Sequence, residues 1–343
     1  MTRLMNVCFD WGSEDAEADR KISYAGDWTF NTSPVHGHST YSISGGTGSD
    51  LRLGRGPYDG TEWAHVANRS YYVRWMVYFT ADPAGDARFG YSNKSGSGGY
   101  VNFRMGDGTN QSFVQWWDGT DVLTWYTSTQ TWPKNQWVRV EMRVYIGSSV
   151  GQCQVEVKVN GTTILNQSGI TRMTSWATSG MEMQNLGVWY LGPNCYLASI
   201  AENDNQGSSQ NSWPGAGAIV LLRPKADSQL GSWTGGGGGT SNIYEGVNNV
   251  PPTGTTTPSN TNMIRSVDTS GDNSTDEYRA TLQSPSDVGL TSGEGLVLLQ
   301  STVLHGEEAA TGTKTGSVGF ISGPAKKTFT TFTADEDYGE AGT

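Results

Sequence analysis

Residues 137–161 read WVRVEMRVY, then a short break rich in Gly and Ser, then VEVKVNG. Apolar and charged residues alternate in both halves, which is the period-2 pattern of strands with one buried face. The apolar members are Val138, Val140, Met142, Val144, Val155, Val157 and Val159, and the charged members are Arg139, Glu141, Arg143, Glu156 and Lys158. Asn160-Gly161 then supplies the dipeptide that tolerates the two positive φ angles of a type I′ turn. The stretch predicts an antiparallel strand pair and a tight turn, with the charged face toward solvent or a partner.

Further strand patterns lie on both sides of this pair. Residues 70–81 place large side chains on both faces, which predicts a central strand in a sheet covered at least partly on both sides. Residues 183–191 and 194–201 give two more strands, separated by a Gly-Pro-Asn turn. Strands that recur about every ten residues are typical of a two-sheet sandwich.

Composition sets the class and divides the chain. The sequence has 343 residues, 46 of them Gly, only 16% are charged, and extended helical patterns are rare. All 13 tryptophans lie at or before Trp233, and a five-glycine run and a Pro/Thr stretch follow. We therefore predict an all-β chain with a sandwich at residues 1–205, an extended connector at 206–259 with one buried strand at 218–223, and a small β domain at 260–343. We expect the full protein to continue beyond Thr343.

Charge and residue usage exclude several classes of function. A net charge of −11 without Lys or Arg clusters argues against nucleic acid, and no apolar run reaches the length of a membrane span. The N-terminus has no segment typical of a secretory signal. Cys8, Cys153 and Cys195 are expected to be free thiols. The acidic run at residues 14–19 and the pair His36 and His38 lack the companion ligands of a metal site, so we predict surface loops, no metal and no cofactor.

Two parts of the sequence resemble known families. Residues 1–205 resemble the concanavalin A-like, laminin G-like jelly roll, through the strand pair with its Asn-Gly turn and the closing strand at 195–201. Residues 214–248 are similar to a segment of tailed-bacteriophage virion proteins, with a Val- and Leu-rich strand, a Trp-Thr and an Asn-x-x-x-x-Val-Asn turn.

The resemblance implies a structural or decoration protein of a phage virion, on capsid, neck or tail, made in the host cytoplasm. Its implied partners are other virion proteins and copies of itself, joined through β-domain interfaces. The jelly-roll type also implies that residues 3–11 pair antiparallel with residues 194–201, which would bring Cys8 near Cys195.

Catalytic motifs are missing from the sequence. It has no carboxylate pair spaced as in the retaining glycosidases of this fold, and no nucleophile or phosphate-loop motif, so we predict a chain that is not an enzyme and rank a glycoside hydrolase last. The alternative to the virion role is a carbohydrate-binding module that engages host surface glycans. The predicted glycan or partner contacts are Trp116, Trp117, Trp125, Tyr126 and Trp132. The competing interpretation of these aromatics is core plus interface.

Overall fold

The structure is a computed structural model with two compact units, Met1–Val288 and Gly289–Thr343. It describes residues 3–10, 22–46, 49–53, 68–82, 87–93, 100–105, 112–117, 122–128, 132–149, 151–170, 183–189, 191–208, 210–229, 233–235, 242, 244, 264–266, 278–290, 302–305, 314–322, 325–334 and 339–342. The predicted boundaries at 205 and 259 stay a prediction.

Fifteen strands of the described chain build the first part of unit 1. They are β1 (Arg3–Val7), β2 (Ile22–Ala25), β3 (Trp28–Asn31), β4 (Ser42–Gly45), β5 (Asp50–Leu53), β6 (Arg69–Phe79), β7 (Ala87–Asn93), β8 (Tyr100–Met105), β9 (Ser112–Trp117), β10 (Val122–Ser128), β11 (Trp137–Ile146), β12 (Cys153–Val159), β13 (Thr162–Ile170), β14 (Met183–Trp189) and β15 (Cys195–Asp204). Residues 61–67, whose sequence also predicts a strand, lie outside the described residues.

These strands form two antiparallel sheets. The first, sheet A, has the order β13-β12-β11-β6-β15-β4-β3, with β1 also paired to β15. The second, sheet B, has the order β10-β9-β8-β7-β14-β5-β2. Non-consecutive neighbours in both sheets give the jelly-roll connectivity, and the prediction of an all-β jelly-roll sandwich is confirmed.

The 137–161 stretch folds as predicted. β11 and β12 pair antiparallel, from Val140 opposite Val159 to Tyr145 opposite Gln154. Asn160 has φ 48° and Gly161 has φ 86°, the two left-handed residues that a type I′ turn requires. The turn leads directly into β13, so three neighbouring strands follow from one local pattern.

The hydrophobic core lies between the sheets. Strand β6 is central in sheet A, between β11 and β15, and its inward side chains Val73, Trp75 and Val77 have no solvent exposure. The Trp75 ring meets Phe89 of sheet B edge-on, at a centroid distance of 5.7 Å. Cys8, Cys153 and Cys195 are buried and carry reduced thiols.

A bulge in β15 lets two strands share one of its edges. β4 pairs with Tyr196 and Leu197, and β1 pairs with the residues from Ile200 onward. Ser199 between them has φ 46°, and the register with β6 shifts there. The predicted antiparallel pairing of the first strand with the last strand of the sandwich is confirmed, although residues 3–7 lie opposite residues 200–203 and not along residues 194–201.

After β15 the chain turns back over sheet A. We call residues 210–223 the strap. The predicted buried strand at 218–223 is wrong, because these residues are half-buried or exposed and belong to no β ladder. A strand begins only at Pro224: β16 (Pro224–Gln229) pairs with β19 (Arg279–Leu282), and β17 (Trp233–Gly235) pairs with β18 (Ile264–Ser266). A single 3₁₀ turn, Pro285–Val288, ends the described part of the unit.

Unit 2 contains two antiparallel pairs among its described residues. β20 (Thr302–His305) pairs with β23 (Gly339–Gly342), and β21 (Lys314–Ser322) pairs with β22 (Ala325–Ala334). The sequence of this unit also predicts strands near 296–304, 315–321 and 328–333. Residues 302–304, 315–321 and 328–333 lie in β20, β21 and β22, and residues 296–301 lie outside the described residues.

Candidate functional site

Three aromatic side chains form a row on the outer face of sheet A. Trp137 lies opposite Tyr78 in the β11–β6 ladder, and Tyr78 lies opposite Tyr196 in the β6–β15 ladder. The ring centroids are 5.5 Å apart for Trp137 and Tyr78, and 6.1 Å apart for Tyr78 and Tyr196. All three side chains are partly exposed. We call this row the aromatic shelf.

Polar residues continue the row toward the edge of sheet A. Tyr196 lies opposite Ser44 on β4, and Ser44 lies opposite Thr29 on β3. Asn31, two residues beyond Thr29, donates its side-chain amide to Ser44 Oγ at 3.1 Å. Hydroxyl and amide groups therefore follow directly after the aromatic rings on one continuous line across five strands.

A loop borders the shelf on the side toward the middle of the sheet. The indole N–H of Trp137 donates to the carbonyl of Val35 at 2.7 Å, and the His36 ring meets the indole edge-on at 5.4 Å. His36 Nδ1 lies 3.3 Å from Ser199 Oγ. Burial lowers the pKa of His36 to about 4, and the nearby positive charge of Arg74 adds to this. The imidazole is therefore neutral at physiological pH, and the Trp137 indole is held in one orientation.

The strap covers the centre of the same face. Gly215 donates its N–H to Glu141 Oε1 at 2.9 Å and accepts a hydrogen bond from Arg74 Nη1 at 3.2 Å. Glu141 is 2% exposed and Arg74 is 3% exposed, so the strap buries both charges. For Glu141 this corrects the prediction that its face is turned toward solvent or a partner. These charges lie opposite one another in the β11–β6 ladder. Burial of opposite charges together is tolerated, whereas burial of one charge alone is costly.

Both ends of the strap are fixed to the sandwich. At one end Trp213 meets the Tyr72 ring edge-on at 5.3 Å, and Lys158 Nζ lies 4.0 Å from the centre of the Trp213 ring. Toward the other end Ile219 donates its N–H to Ser199 Oγ at 3.3 Å. The strap thus crosses from β12 to β15 and separates the aromatic shelf from the far end of the face.

A cavity of about 560 Å³ lies where the strap meets the loop before β4. Asp10 in its wall accepts backbone N–H groups from Thr40 at 2.7 Å, Tyr41 at 3.4 Å and Leu221 at 3.3 Å. Burial raises the pKa of Asp10, and these hydrogen bonds oppose that effect. The carboxyl group joins two distant segments of the chain, so Asp10 acts as an anchor for the end of the strap.

The predicted contact residues lie away from the shelf. Trp116 and Trp117 are on β9, and Trp125 and Tyr126 are on β10, the edge pair of sheet B; their side chains lie outside the described part of the structure. As contacts they stay a prediction. Trp132 is 3% exposed and packs in the core against Phe103 at 5.6 Å, a position that suits the core interpretation rather than a surface contact.

Among the described residues, no group of three or more His, Cys, Asp or Glu side chains is arranged to hold a metal ion. In the same part of the chain, no helix is long and apolar enough to span a bilayer. His36 and His38 both lie in the loop before β4, and the acidic run at 14–19 lies outside the described chain.

The sequence did not single out the shelf. Tyr78 and Trp137 are 59 positions apart in the sequence, and so are Trp137 and Tyr196, so the three residues form no local cluster. The alternation of side chains along each strand was the signal in the sequence. Trp137 precedes the buried Val138 and Tyr78 follows the buried Val77, so both aromatic side chains lie on the outward side of their strands. Strand pairing is needed to bring them together.

No protein-family model and no curated protein sequence matches this chain. Solved structures with a similar fold include the cellulose-induced protein Cip1, with 14% identity, a TM-score of 0.39, and coverage of 62% of this chain and 100% of that one. The carbohydrate-binding module CBM66 from Bacillus subtilis has 4% identity, a TM-score of 0.34, and coverage of 53% and 95%. The alginate lyase Aly36B has 13% identity, a TM-score of 0.36, and coverage of 58% and 96%. These similarities concern the sandwich fold.

One prediction is corrected by these comparisons. The sequence predicted a chain that is not an enzyme, but an alginate lyase has the same kind of sandwich. The sequence argument looked for the paired carboxylates of a hydrolase. A lyase works by proton abstraction and elimination and does not need that pair, so neither the missing motif nor the fold class excludes catalysis.

Proposed function

We propose that this chain binds carbohydrate and that the aromatic shelf is the binding site. The supporting observation is the in-register row of Trp137, Tyr78 and Tyr196, followed by the hydroxyl of Ser44. Tyr and Trp give a binding surface both apolar area and a polar group, and small-ligand sites combine such rings with a few placed hydrogen-bonding groups. A sugar has the same two characters, with C–H groups on its ring faces and hydroxyl groups around its rim.

The shelf is prepared for binding before a ligand arrives. The hydrogen bond from the Trp137 indole to Val35 fixes the largest ring, and the Tyr78 ring is packed edge-on between two neighbours. A fixed side chain loses little conformational entropy on binding, which favours affinity. Because neighbouring rings are tilted by 60° and 86°, a ligand would meet ring faces and ring edges in turn.

The test is a glycan array with the whole chain, followed by calorimetric titration of the strongest glycan. Trp137→Ala should weaken its binding at least about tenfold, as expected for a central aromatic contact. Tyr145→Ala is the matched control, since Tyr145 is a half-exposed aromatic on the same strand and face, beyond the strap. Equal affinity for wild type and Trp137→Ala, or no bound glycan on the array, would contradict the proposal.

The phage-derived expectations remain predictions. A place on a virion, synthesis in the host cytoplasm, and assembly with virion proteins or copies of this chain come from the resemblance of residues 214–248. The same holds for host surfaces as the source of the glycan. Mass spectrometry of purified particles would test the virion assignment, which requires this chain among their proteins.

A further inference from the structure

The accessible part of sheet A's outer face runs across the strands and not along them. Toward the middle of the face, the Val35 carbonyl and the His36 ring contact Trp137. Farther along β6 and β11 the strap covers Arg74 and Glu141. A long polymer laid parallel to the strands would collide with both segments, whereas a chain laid along the shelf would meet neither.

Strand spacing gives the length of this line. Neighbouring strands lie about 4.8 Å apart, so the three aromatic residues cover roughly 10 Å, the length of about two linked sugar rings. Ser44 and Thr29 are on the next two strands, which extends the line to roughly 19 Å and about four rings. Beyond Thr29 the described sheet ends, because β3 is its edge strand.

Each basic side chain next to the shelf lies beside a carboxylate. Arg139, the next outward residue after Trp137, has its Nε 3.1 Å from Glu141 Oε2. Lys134, in the segment that leads into β11, has its Nζ 2.8 Å from Asp82 Oδ2. The His36 imidazole is neutral near pH 7, because its pKa is about 4. Glu141 also lies opposite Arg74, so one carboxylate serves two arginines. The charge of the whole chain, −11, is therefore what disfavours a polyanion at the shelf.

We infer that the shelf takes a neutral oligosaccharide of up to about four units, lying across β11, β6, β15, β4 and β3. Two rings contact the aromatic residues, and the following rings contact the hydroxyl and amide groups of Ser44, Thr29 and Asn31. This inference rests on the proposed function and adds the charge class, the orientation and the length of the ligand.

The experiment measures affinity against chain length and charge. Neutral β-linked oligosaccharides of glucose, N-acetylglucosamine, mannose and galactose, from one to six units, are titrated beside oligogalacturonates and oligomannuronates of equal length. Affinity for the bound neutral series should rise up to about four units and then stay level. Acidic oligosaccharides should bind at least about tenfold more weakly at low salt.

A gain-of-affinity variant tests the direction of the line. Thr29 is exposed, so Thr29→Trp should place a further ring at the far end and raise the affinity for a tetrasaccharide at least threefold, as one added stacking contact can. Affinity for a disaccharide should not change. Thr162→Trp is the matched control, because Thr162 is exposed on β13, the opposite edge strand of the same sheet.

The outcomes separate the two proposals. Failure of every neutral and every acidic oligosaccharide to bind rejects the proposed function together with this inference. Binding of the acidic series alone rejects the inference and leaves the proposed function standing. Binding that depends on Trp137 but keeps strengthening up to six units, or that is as tight for the acidic series, rejects the inference alone. An equal effect of Thr29→Trp on disaccharide and tetrasaccharide affinity rejects the orientation.

Discussion

A hydrogen bond crosses the core from one sheet to the other. Tyr91 on β7 of sheet B donates its hydroxyl to Glu202 Oε1 on β15 of sheet A at 2.9 Å, and both residues have no solvent exposure. Burial raises the pKa of Tyr91 well above its usual range, and the Glu202 charge raises it further. The phenol therefore stays protonated and remains a donor over the whole working pH range.

Tyr91→Phe removes the hydroxyl and keeps the ring. A hydrogen bond to a charged group contributes roughly 1.5–3 kcal/mol to stability, so we expect the free energy of unfolding to fall by about 2 kcal/mol. For a domain of this size class that corresponds to a melting temperature roughly 4–8 °C lower. Urea unfolding monitored by tryptophan fluorescence is the assay, and it reports on unit 1 because all 13 tryptophans lie at or before Trp233.

Two further variants complete this experiment: a control for the loss of a hydroxyl group, and a change at the acceptor Glu202. Tyr145→Phe removes a half-exposed hydroxyl, 3.5 Å from Asn68 Oδ1, and should change stability by less than about 0.5 kcal/mol. Glu202→Gln keeps a carbonyl acceptor for Tyr91, so the double mutant with Tyr91→Phe measures what the charge of Glu202 adds to the hydrogen bond. A loss below about 0.5 kcal/mol in Tyr91→Phe, at an unchanged denaturant slope, would refute the contribution of the inter-sheet bond.

The remaining predictions concern the strap and the loop beside the shelf. Glu141→Ala removes the acceptor for the Gly215 N–H, so thermolysin should cleave within residues 214–222 at least about tenfold faster. Asp82→Ala removes a carboxylate whose ion pair with Lys134 is not a contact of the strap, so it should leave the cleavage rate unchanged. Equal cleavage rates for wild type and both variants would contradict the role of Glu141 as an anchor of the strap. His36 has a folded pKa of about 4 against 6.5 for the free side chain, so as pH falls from 6.5 to 4 the unfolded chain takes up the proton first and stability decreases. The loss is at most about 3 kcal/mol and smaller for this partly exposed ring. Urea midpoints from pH 4 to 7.5 should decline less steeply in His36→Gln, and an identical decline would disprove the assignment.

Local alternation was enough to predict the strands of the sandwich. β11, β12 and the Asn160-Gly161 turn follow from a period of two and one dipeptide, because each side chain's face is set by its own strand. The central place of β6 followed from large side chains on both of its faces. The pairing of β1 with β15 required the resemblance to a jelly roll, because no local pattern connects the two ends of the sandwich.

The strap could not be predicted in the same way. Its bonds to the sandwich join backbone groups of Gly215 and Leu221 to the carboxylates of Glu141 and Asp10, and such bonds leave no periodic pattern in either partner. The apolar run at 218–223 favoured a buried strand, but its backbone meets side chains rather than another strand. The predicted glycan contacts around Trp116 and Trp125 are close together in the sequence. The three rings of the aromatic shelf are far apart in the sequence and become neighbours only when their strands pair.

The strap also explains why binding would be confined to one end of the face. Sheet A presents Arg74, Glu141 and Met76 at the middle of its outer side, and each is less than 9% exposed because other segments lie over them. Gly215 has φ 72°, a conformation that favours glycine, and its N–H and carbonyl contact both charged residues. Any larger residue there would strain the backbone at the point where it closes the centre. In the aromatic row beyond the loop, partly exposed rings lie next to the hydroxyl group of Ser44 on the neighbouring strand, so a sugar chain laid across the strands could contact both.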